Sequence, residues 1–391
     1  MKTNAIYCGD CADVLKTFPE KSVDLIYLDP PFFSNKNYEV IWGDGYELRA
    51  FKDRWKGGIE NYLEWMVERL RDCHHVLKDT GSIYLHCDWH AGHYLKVEMD
   101  KIFGYGNFRN EVVWCYAGGG IPKLDFPRKH DTIFRYTKTS NYTFNIEFRK
   151  YKEGIIPTHS TGEKLNLDRG TPINDWWVDI KIITPYSSNA KERLGYPTQK
   201  PEALLERIIK ASSNPTNIVL DPFCGCGTAI SVAQKLGRQW IGIDVSPSAC
   251  KLVSSRLRKL GVSMGEKDIV GLPKTHEDIK TMEPFEFQNW VCQQLNARIS
   301  PKKSGDMGVD GILLDGRPLQ VKQSEDIGRQ VIDLFETALR RVKKNTGVIV
   351  ALSFGRGAYE EVARAKLRDN IHIELKTVNE LLLEDQKRCS P

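Results

Sequence analysis

Asp29-Pro30-Pro31-Phe32 sets an acid, a proline carbonyl and an aromatic ring side by side. It follows an apolar run, Val23-Asp24-Leu25-Ile26-Tyr27-Leu28, that reads as a short buried strand. Two prolines stop the ladder there and hold the backbone extended. An amino group on a planar heterocycle is a poor nucleophile, because its lone pair is delocalised into the ring. The Asp29 carboxylate and the Pro30 carbonyl offer acceptors for its two hydrogens, which would localise that lone pair, and Phe32 offers a stacking face. The chemistry suited to this group is alkylation of an amino nitrogen. Taken alone, the tetrapeptide also fits a plain strand ending in a proline turn.

A second constellation lies far downstream. Asn217-Ile218-Val219-Leu220-Asp221 is another buried-strand pattern, running into Pro222-Phe223-Cys224-Gly225-Cys226-Gly227-Thr228 and a helical stretch over 229–236. Strand, glycine turn and helix make a nucleotide-binding corner, where glycine lets a ligand approach the backbone. The next strand, Gln239-Trp240-Ile241-Gly242-Ile243-Asp244, ends in an acid 23 positions after Asp221. An acid at about 20 residues' separation is placed to hold ribose hydroxyls.

Together these motifs resemble those of the amino-group DNA methyltransferases that use S-adenosylmethionine, in the permuted order called the beta class. Gly9-Asp10-Cys11 matches that family's short opening motif, and Gly195-Tyr196-Pro197-Thr198-Gln199-Lys200-Pro201 matches the segment leading into its cofactor lobe. The resemblance covers about residues 4–260. It implies Asp29, Pro30, Pro31 and Phe32 as the catalytic group, and Asp10, Lys200, Asp221, Pro222, Phe223, Gly225, Gly227, Thr228 and Asp244 around the cofactor. In the family an Asp at the head of the tetrapeptide points to N6 of adenine and a Ser to N4 of cytosine. Phe32 stands where Tyr is usual, keeping the stacking face and losing the hydroxyl. Similar Pro-Pro-aromatic motifs also occur in enzymes acting on RNA or protein glutamine, so those substrates stay open.

Strands near 5–7, 23–28, 82–86, 112–114, 218–220 and 240–243 alternate with helices, the longest over 59–78. That alternation predicts an α/β fold, a doubly wound Rossmann-like sheet with both motifs at the carboxyl ends of its strands. The expected division is a catalytic lobe (1–114), a target-recognition insert (115–195), a cofactor lobe (196–260), a linker (261–282) and a further domain (283–391).

The insert holds thirteen Lys and Arg against nine Asp and Glu, nearly all of the chain's net +5, interleaved with tyrosines. Basic residues among aromatics suit phosphates and splayed bases, and the resemblance puts target recognition here. His130 to Tyr136 alternates like a strand, with Tyr142-Thr143-Phe144-Asn145 as its expected hairpin partner. The expected partner molecule is double-stranded DNA, with a homodimer as one allowed assembly.

His86, His90 and His93 have helical metal-ligand spacing. Ser82-Ile83-Tyr84-Leu85-His86 reads as a strand, however, so His86 would not share a face with the other two. Cys8, Cys11, Cys224 and Cys226 are better explained as small buried side chains of the cofactor motifs than as a zinc site. Ten cysteines in 391 residues suit reduced thiols. With no signal peptide and no 18-residue apolar run, the expectation is a cytoplasmic, nucleoid-associated protein of prokaryotic or phage-like origin, without a membrane segment.

After 284, a helix opens at Pro284-Phe285-Glu286-Phe287. Then come Gly308-Val309-Asp310-Gly311-Ile312, a turn at Asp315-Gly316, and Pro318-Leu319-Gln320-Val321-Lys322. An acid on one strand and Gln-x-Lys on the next resembles the Mrr-type branch of the restriction endonuclease fold. The resemblance implies Mg2+- or Mn2+-assisted phosphodiester cleavage by Asp310, Gln320 and Lys322, with Asp310 and Glu286 as metal ligands. A domain that binds DNA without cutting it is the alternative.

Overall fold

The chain is described from a computed structural model covering 1–391 except 34–36, 42–46, 53–57, 119–121, 152–169, 185–186, 195–197, 300–307 and 389–391. Gly195, Tyr196 and Pro197 thus lie outside the described residues. The first part opens with β1 (Ala5–Cys8), α1 (Cys11–Leu15), β2 (Val23–Leu28), β3 (Asn37–Ile41) and β4 (Glu47–Lys52). It continues with α2 (Gly58–Val76), β5 (Leu77–Cys87), α3 (Gly92–Phe103), β6 (Phe108–Cys115) and β7 (His130–Thr137). Short strands β8 (Phe148–Arg149), β9 (Thr171–Pro172) and β10 (Trp176–Trp177) precede α4 (Glu202–Ser212), β11 (Ile218–Asp221), α5 (Thr228–Lys235), β12 (Gln239–Asp244) and α6 (Pro247–Lys259).

Eight strands form one sheet in the order β1-β12-β11-β2-β5-β7-β6-β10. All its pairings are parallel except those of β7, which runs antiparallel between β5 and β6. The central strands are hydrophobic on both faces, as a sheet covered on both sides requires. One face packs on α1, α2 and α3, with Tyr62, Met66, Leu70, Cys73 and Val76 of α2 fully buried at helical spacing. The other packs on α4, α5 and α6, around Leu25, Tyr27, Ile208, Ile230 and Trp240. Chain order reverses between β11 and β2, so the sheet's switch point falls where the two motifs end. Ligands of such sheets bind at that crevice.

Two expectations are corrected here. The strand at 130–137 does not pair with 142–145; β7 is inside the main sheet, and Thr143 instead donates to the Thr80 carbonyl. Arg135, counted among the insert's basic residues, is buried and stacks on Phe144 at 4.2 Å. Nor is 261–282 a plain connector. Val270 bridges to β1, its N–H donating to the Ile6 carbonyl at 2.9 Å and its carbonyl accepting from Cys8 at 2.7 Å. At Gly271 (φ +75°) a Cβ would lie 2.5 Å from the Cys8 oxygen, so only glycine lets the chain pass. Helix α7 (His276–Lys280) follows, with Thr275 and Asp278 as a reciprocal capping box. Its Ile279 is buried in the next core.

That core belongs to the second part: α8 (Pro284–Gln294), β13 (Arg298–Ile299), β14 (Gly311–Ile312), β15 (Pro318–Lys322), α9 (Arg329–Arg341), β16 (Thr346–Ala351), α10 (Arg356–Asp369), β17 (His372–Thr377) and α11 (Val378–Arg388). Its sheet runs β13-β14-β15-β16-β17, antiparallel up to β15 and parallel from β15 onward. Leu319 of β15 faces Phe287 and Trp290 of α8, so Gln320 and Lys322 alternate to the face shared with α9 and α10.

Candidate active site

The strand ends deliver acids from opposite sides of the switch point. Asp29 follows β2 and Asp221 ends β11, the two strands being directly paired. Immediately after the tetrapeptide, Phe33 takes a left-handed backbone (φ +62°), turning the chain sharply away. The Tyr62 hydroxyl of α2 donates to the Pro31 carbonyl at 2.8 Å, which pins that turn to the helix beneath it. Phe32 is half-buried, its ring 5.7 Å from that of His86.

A cavity of about 330 Å³ opens here, within the size range of small-molecule sites. All four tetrapeptide residues line it, as do Asp10, Lys200, Asp221, Pro222, Phe223, Gly225, Thr228 and Asp244. Gly227 is absent from that lining. It has φ +73° at the start of α5, and a Cβ there would lie 2.7 Å from Val253, so its part is close packing of α5 on α6. Gly225 (φ +47°) is the glycine that borders the cavity.

Lys200 lines this cavity and also reaches the tetrapeptide. Its Nζ is 2.8 Å from both Asp29 oxygens and 4.9 Å from the Phe32 ring centroid. It therefore holds the tetrapeptide's acid in place. Asp10 caps α1 by accepting from Ala12 at 2.8 Å, and its other oxygen pairs with the buried Arg69, which stacks on Trp65 at 3.9 Å. Sequence reading missed Arg69 and Trp65, which also line the cavity. An arginine four residues after a tryptophan, within the apolar stripe of α2, was the available signal.

The acids near the glycine loop differ in character. Asp221 is buried beside Asp29 and Asp244, and burial pushes its carboxyl well above the usual range. Asp244 accepts from Gly225 N–H at 2.8 Å and Ser246 N–H at 2.9 Å. Burial nevertheless holds its pKa up at about 6. It keeps lone pairs for a further donor such as a sugar hydroxyl.

In the second part, the Asp310 N–H donates to Leu319, and its carboxylate accepts from the Val321 N–H at 2.8 Å. The acid thus lies against the strand that carries Gln320 and Lys322. Gln320 is 5% exposed, and its Oε1 has no hydrogen-bond partner among the described residues. Helix α8 reaches both this group and the first cavity. Gln288 donates to the Asp310 carbonyl at 3.1 Å, whereas Glu286, about 200° around the same helix, lines the first cavity together with Glu283. Among the described residues, three carboxylates approach one another within 4.8 Å only at Asp333, Glu336 and Glu361, where Arg329, Arg340 and Arg364 pair with them. No described helix is long and apolar enough to cross a membrane.

Residues 23–255 match the family profile described as DNA methylase. The Type II methyltransferase M.BglII of Bacillus subtilis is 34% identical over 254 residues, covering 62% of this chain and 65% of that protein. The DNA adenine methyltransferase YhdJ of Escherichia coli (strain K12) is 31% identical over 271 residues, covering 66% of this chain and 83% of that protein. Among solved structures, the cytosine-N4-specific PvuII DNA methyltransferase superposes with a TM-score of 0.46 at 19% identity, covering 68% of this chain and 90% of that one.

Proposed function

The chain belongs to the DNA methylase family, and from that premise we propose that it moves a methyl group from S-adenosylmethionine to the N6 amino group of adenine in double-stranded DNA. The carrying observation is that Asp29 and Phe32 share one cavity with the glycine loop and Asp244. The residues present suit the cofactor: Gly225 leaves its backbone open to close approach, Asp244 can accept from a ribose, and α5 begins at the loop. When bound, the cofactor supplies an electrophilic methyl group. Asp29 and the Pro30 carbonyl accept the hydrogens of the target amino group, and Phe32 stacks on its ring. A base paired in duplex cannot reach this cavity, so it is extruded first. For Asp29 to receive the base, Lys200 shifts from one carboxylate oxygen or shares it.

Adenine is favoured over cytosine by the Asp at the head of the tetrapeptide and by the likeness to YhdJ, named as an adenine methyltransferase. The test is tritiated methyl transfer to DNA, RNA and protein side by side, followed by nucleoside analysis. N6-methyladenine is expected. N4-methylcytosine would overturn the base assignment, and transfer to RNA or protein alone would overturn the DNA reading.

For the second part we propose metal-assisted DNA cleavage, which would make the whole a fused restriction–modification protein. Asp310, with the buried Oε1 of Gln320 that has no partner among the described residues, offers oxygen ligands suited to Mg2+ or Mn2+. Lys322 would position the attacking water and stabilise the phosphate. Plasmid DNA in methylated and unmethylated states, with either metal, is expected to be nicked or cut by the native protein but not by Lys322→Ala or Asp310→Ala. If neither state is cut, the part is a DNA-binding module.

A further inference from the structure

Behind the tetrapeptide runs a buried hydrogen-bonded chain that the roles above do not use. The Tyr27 hydroxyl lies 2.8 Å from His86 Nδ1, and His86 Nε2 lies 3.1 Å from Asp131 Oδ2. The Tyr116 hydroxyl donates to the other Asp131 oxygen at 2.9 Å. Tyr27, His86 and Asp131 sit on the adjacent strands β2, β5 and β7, so the sheet itself sets their spacing. His86 is fully buried, with Trp114 edge-on to its ring.

Chemistry fixes the direction of this chain. Burial works against the Asp131 carboxylate, but the His86 contact, the nearby Lys200 charge and the Tyr116 hydroxyl outweigh it and bring its pKa below the usual value. An ionised carboxylate only accepts, so Nε2 carries the imidazole hydrogen, and in the neutral ring Nδ1 accepts from Tyr27. Hydroxyl, imidazole and carboxylate then stand in the order of a nucleophile–base–acid triad. Burial pushes the Tyr27 phenol well above its ordinary range. It therefore acts by passing a proton on as it takes one, never as a free phenolate.

The reaction needs such an outlet. When an amino nitrogen attacks a methyl group, it becomes cationic and must lose a hydrogen. Asp29 is a poor recipient while both its oxygens face the Lys200 ammonium at 2.8 Å. Tyr27 borders the same cavity. Building on the methyl-transfer reading, we propose that Tyr27 is a catalytic residue that carries off this proton, with His86, Asp131 and Tyr116 as positioning residues behind it. As the carbon–sulfur bond breaks, the nitrogen–carbon bond forms. The surplus N–H proton then goes to the Tyr27 oxygen while the tyrosine's own hydrogen moves to His86 Nδ1. The products are a neutral methylamino group and an imidazolium facing the Asp131 carboxylate. The proton returns through Tyr27 to water once the base has left.

The test is single-turnover methylation of duplex DNA by the full chain. Tyr27→Phe is expected to slow methyl transfer about 100-fold, with S-adenosylmethionine and DNA affinities within about twofold. Asp131→Asn is expected to slow it as well, because an amide can donate to Nε2 and reverse the direction of the chain. The wild-type rate should fall in D2O, and the Tyr27→Phe rate should not. Should Tyr27→Phe fold poorly, 3-fluorotyrosine at position 27 keeps the packing while altering phenol acidity, and the rate should still change. A full rate in either variant, or a rate loss matched by equal losses of affinity or melting temperature, would overturn the relay. A wild-type chain that methylates no DNA would overturn the methyl-transfer reading itself, a distinguishable result.

Discussion

At Asp29 two demands meet on one carboxylate. It must offer an acceptor to a substrate hydrogen, yet it begins held on both oxygens by Lys200, 171 positions away in sequence. The pair is mostly buried, so breaking it from one side leaves an uncompensated charge. Asp29→Ala is expected to abolish methyl transfer while leaving S-adenosylmethionine binding within about tenfold, about 1.4 kcal/mol. Equal loss of both in a folded protein would reassign Asp29 to the cofactor. Lys200→Met should show the opposite asymmetry to that expected of a cofactor ligand, losing rate more than affinity. Asp244 adds a pH signature. Its full acceptor capacity is available only when it is ionised, and burial raises its pKa to about 6. Cofactor affinity should therefore fall as pH drops through that value, by up to about tenfold per unit. Calorimetry across pH 5–8 checks this, and Asp244→Asn should flatten the profile. Without ligand, the same raised pKa means that the folded chain holds the proton more firmly than the unfolded one. Asp244's contribution to stability then declines as pH rises from 3.8 toward about 6.

At the scale of elements, what local sequence revealed and what it hid follow from how far each signal reaches. β2 and β11 were legible because a buried apolar run ends abruptly in Asp-Pro at each. α2 was legible because its apolar positions recur at helical spacing. The membership of β7 was not. Its alternation shows that 130–137 is a strand, but nothing local says that its neighbours are β5 and β6 rather than the next segment along. The pairing of Lys200 with Asp29 was hidden for a related reason: a side chain's partner across a crevice depends on the docking of elements. Gly227 tests the packing argument. Gly227→Ala forces a side chain into a left-handed backbone and onto Val253. It should cost about 2 kcal/mol, read by urea unfolding, whereas a purely cofactor-facing glycine would lose affinity without losing stability.

Across the whole molecule, the two parts meet at the cavity. α8 opens the second sheet's core on one side and sets Glu283 and Glu286 in the cavity wall on the other. Cofactor binding should therefore be felt beyond the first sheet. Amide exchange over 284–294 is expected to slow when S-adenosylmethionine binds, and Glu286→Gln should weaken both that protection and the cofactor's affinity. Unchanged exchange in α8 at saturating cofactor would show that the parts behave independently.

The order in which the chain is made gives this architecture a timetable. β1 is an edge strand whose described partners are β12 and Val270, and Ala5 pairs with Ile241. Strands β2, β5, β7 and β6 can associate early, but β11 and β12 reach the ribosome exit far later. At about 5–20 residues per second, the 193 positions from Leu28 to Asp221 take roughly ten to forty seconds. For most of that interval Asp29 has no Lys200, throughout it no glycine loop stands beside it, and β1 waits without its neighbour. A half-made chain, or one cut short by a frameshift before residue 200, thus carries the tetrapeptide but no chemistry. The ability to mark DNA arrives in a single late event, when the last third of the sheet closes over the first.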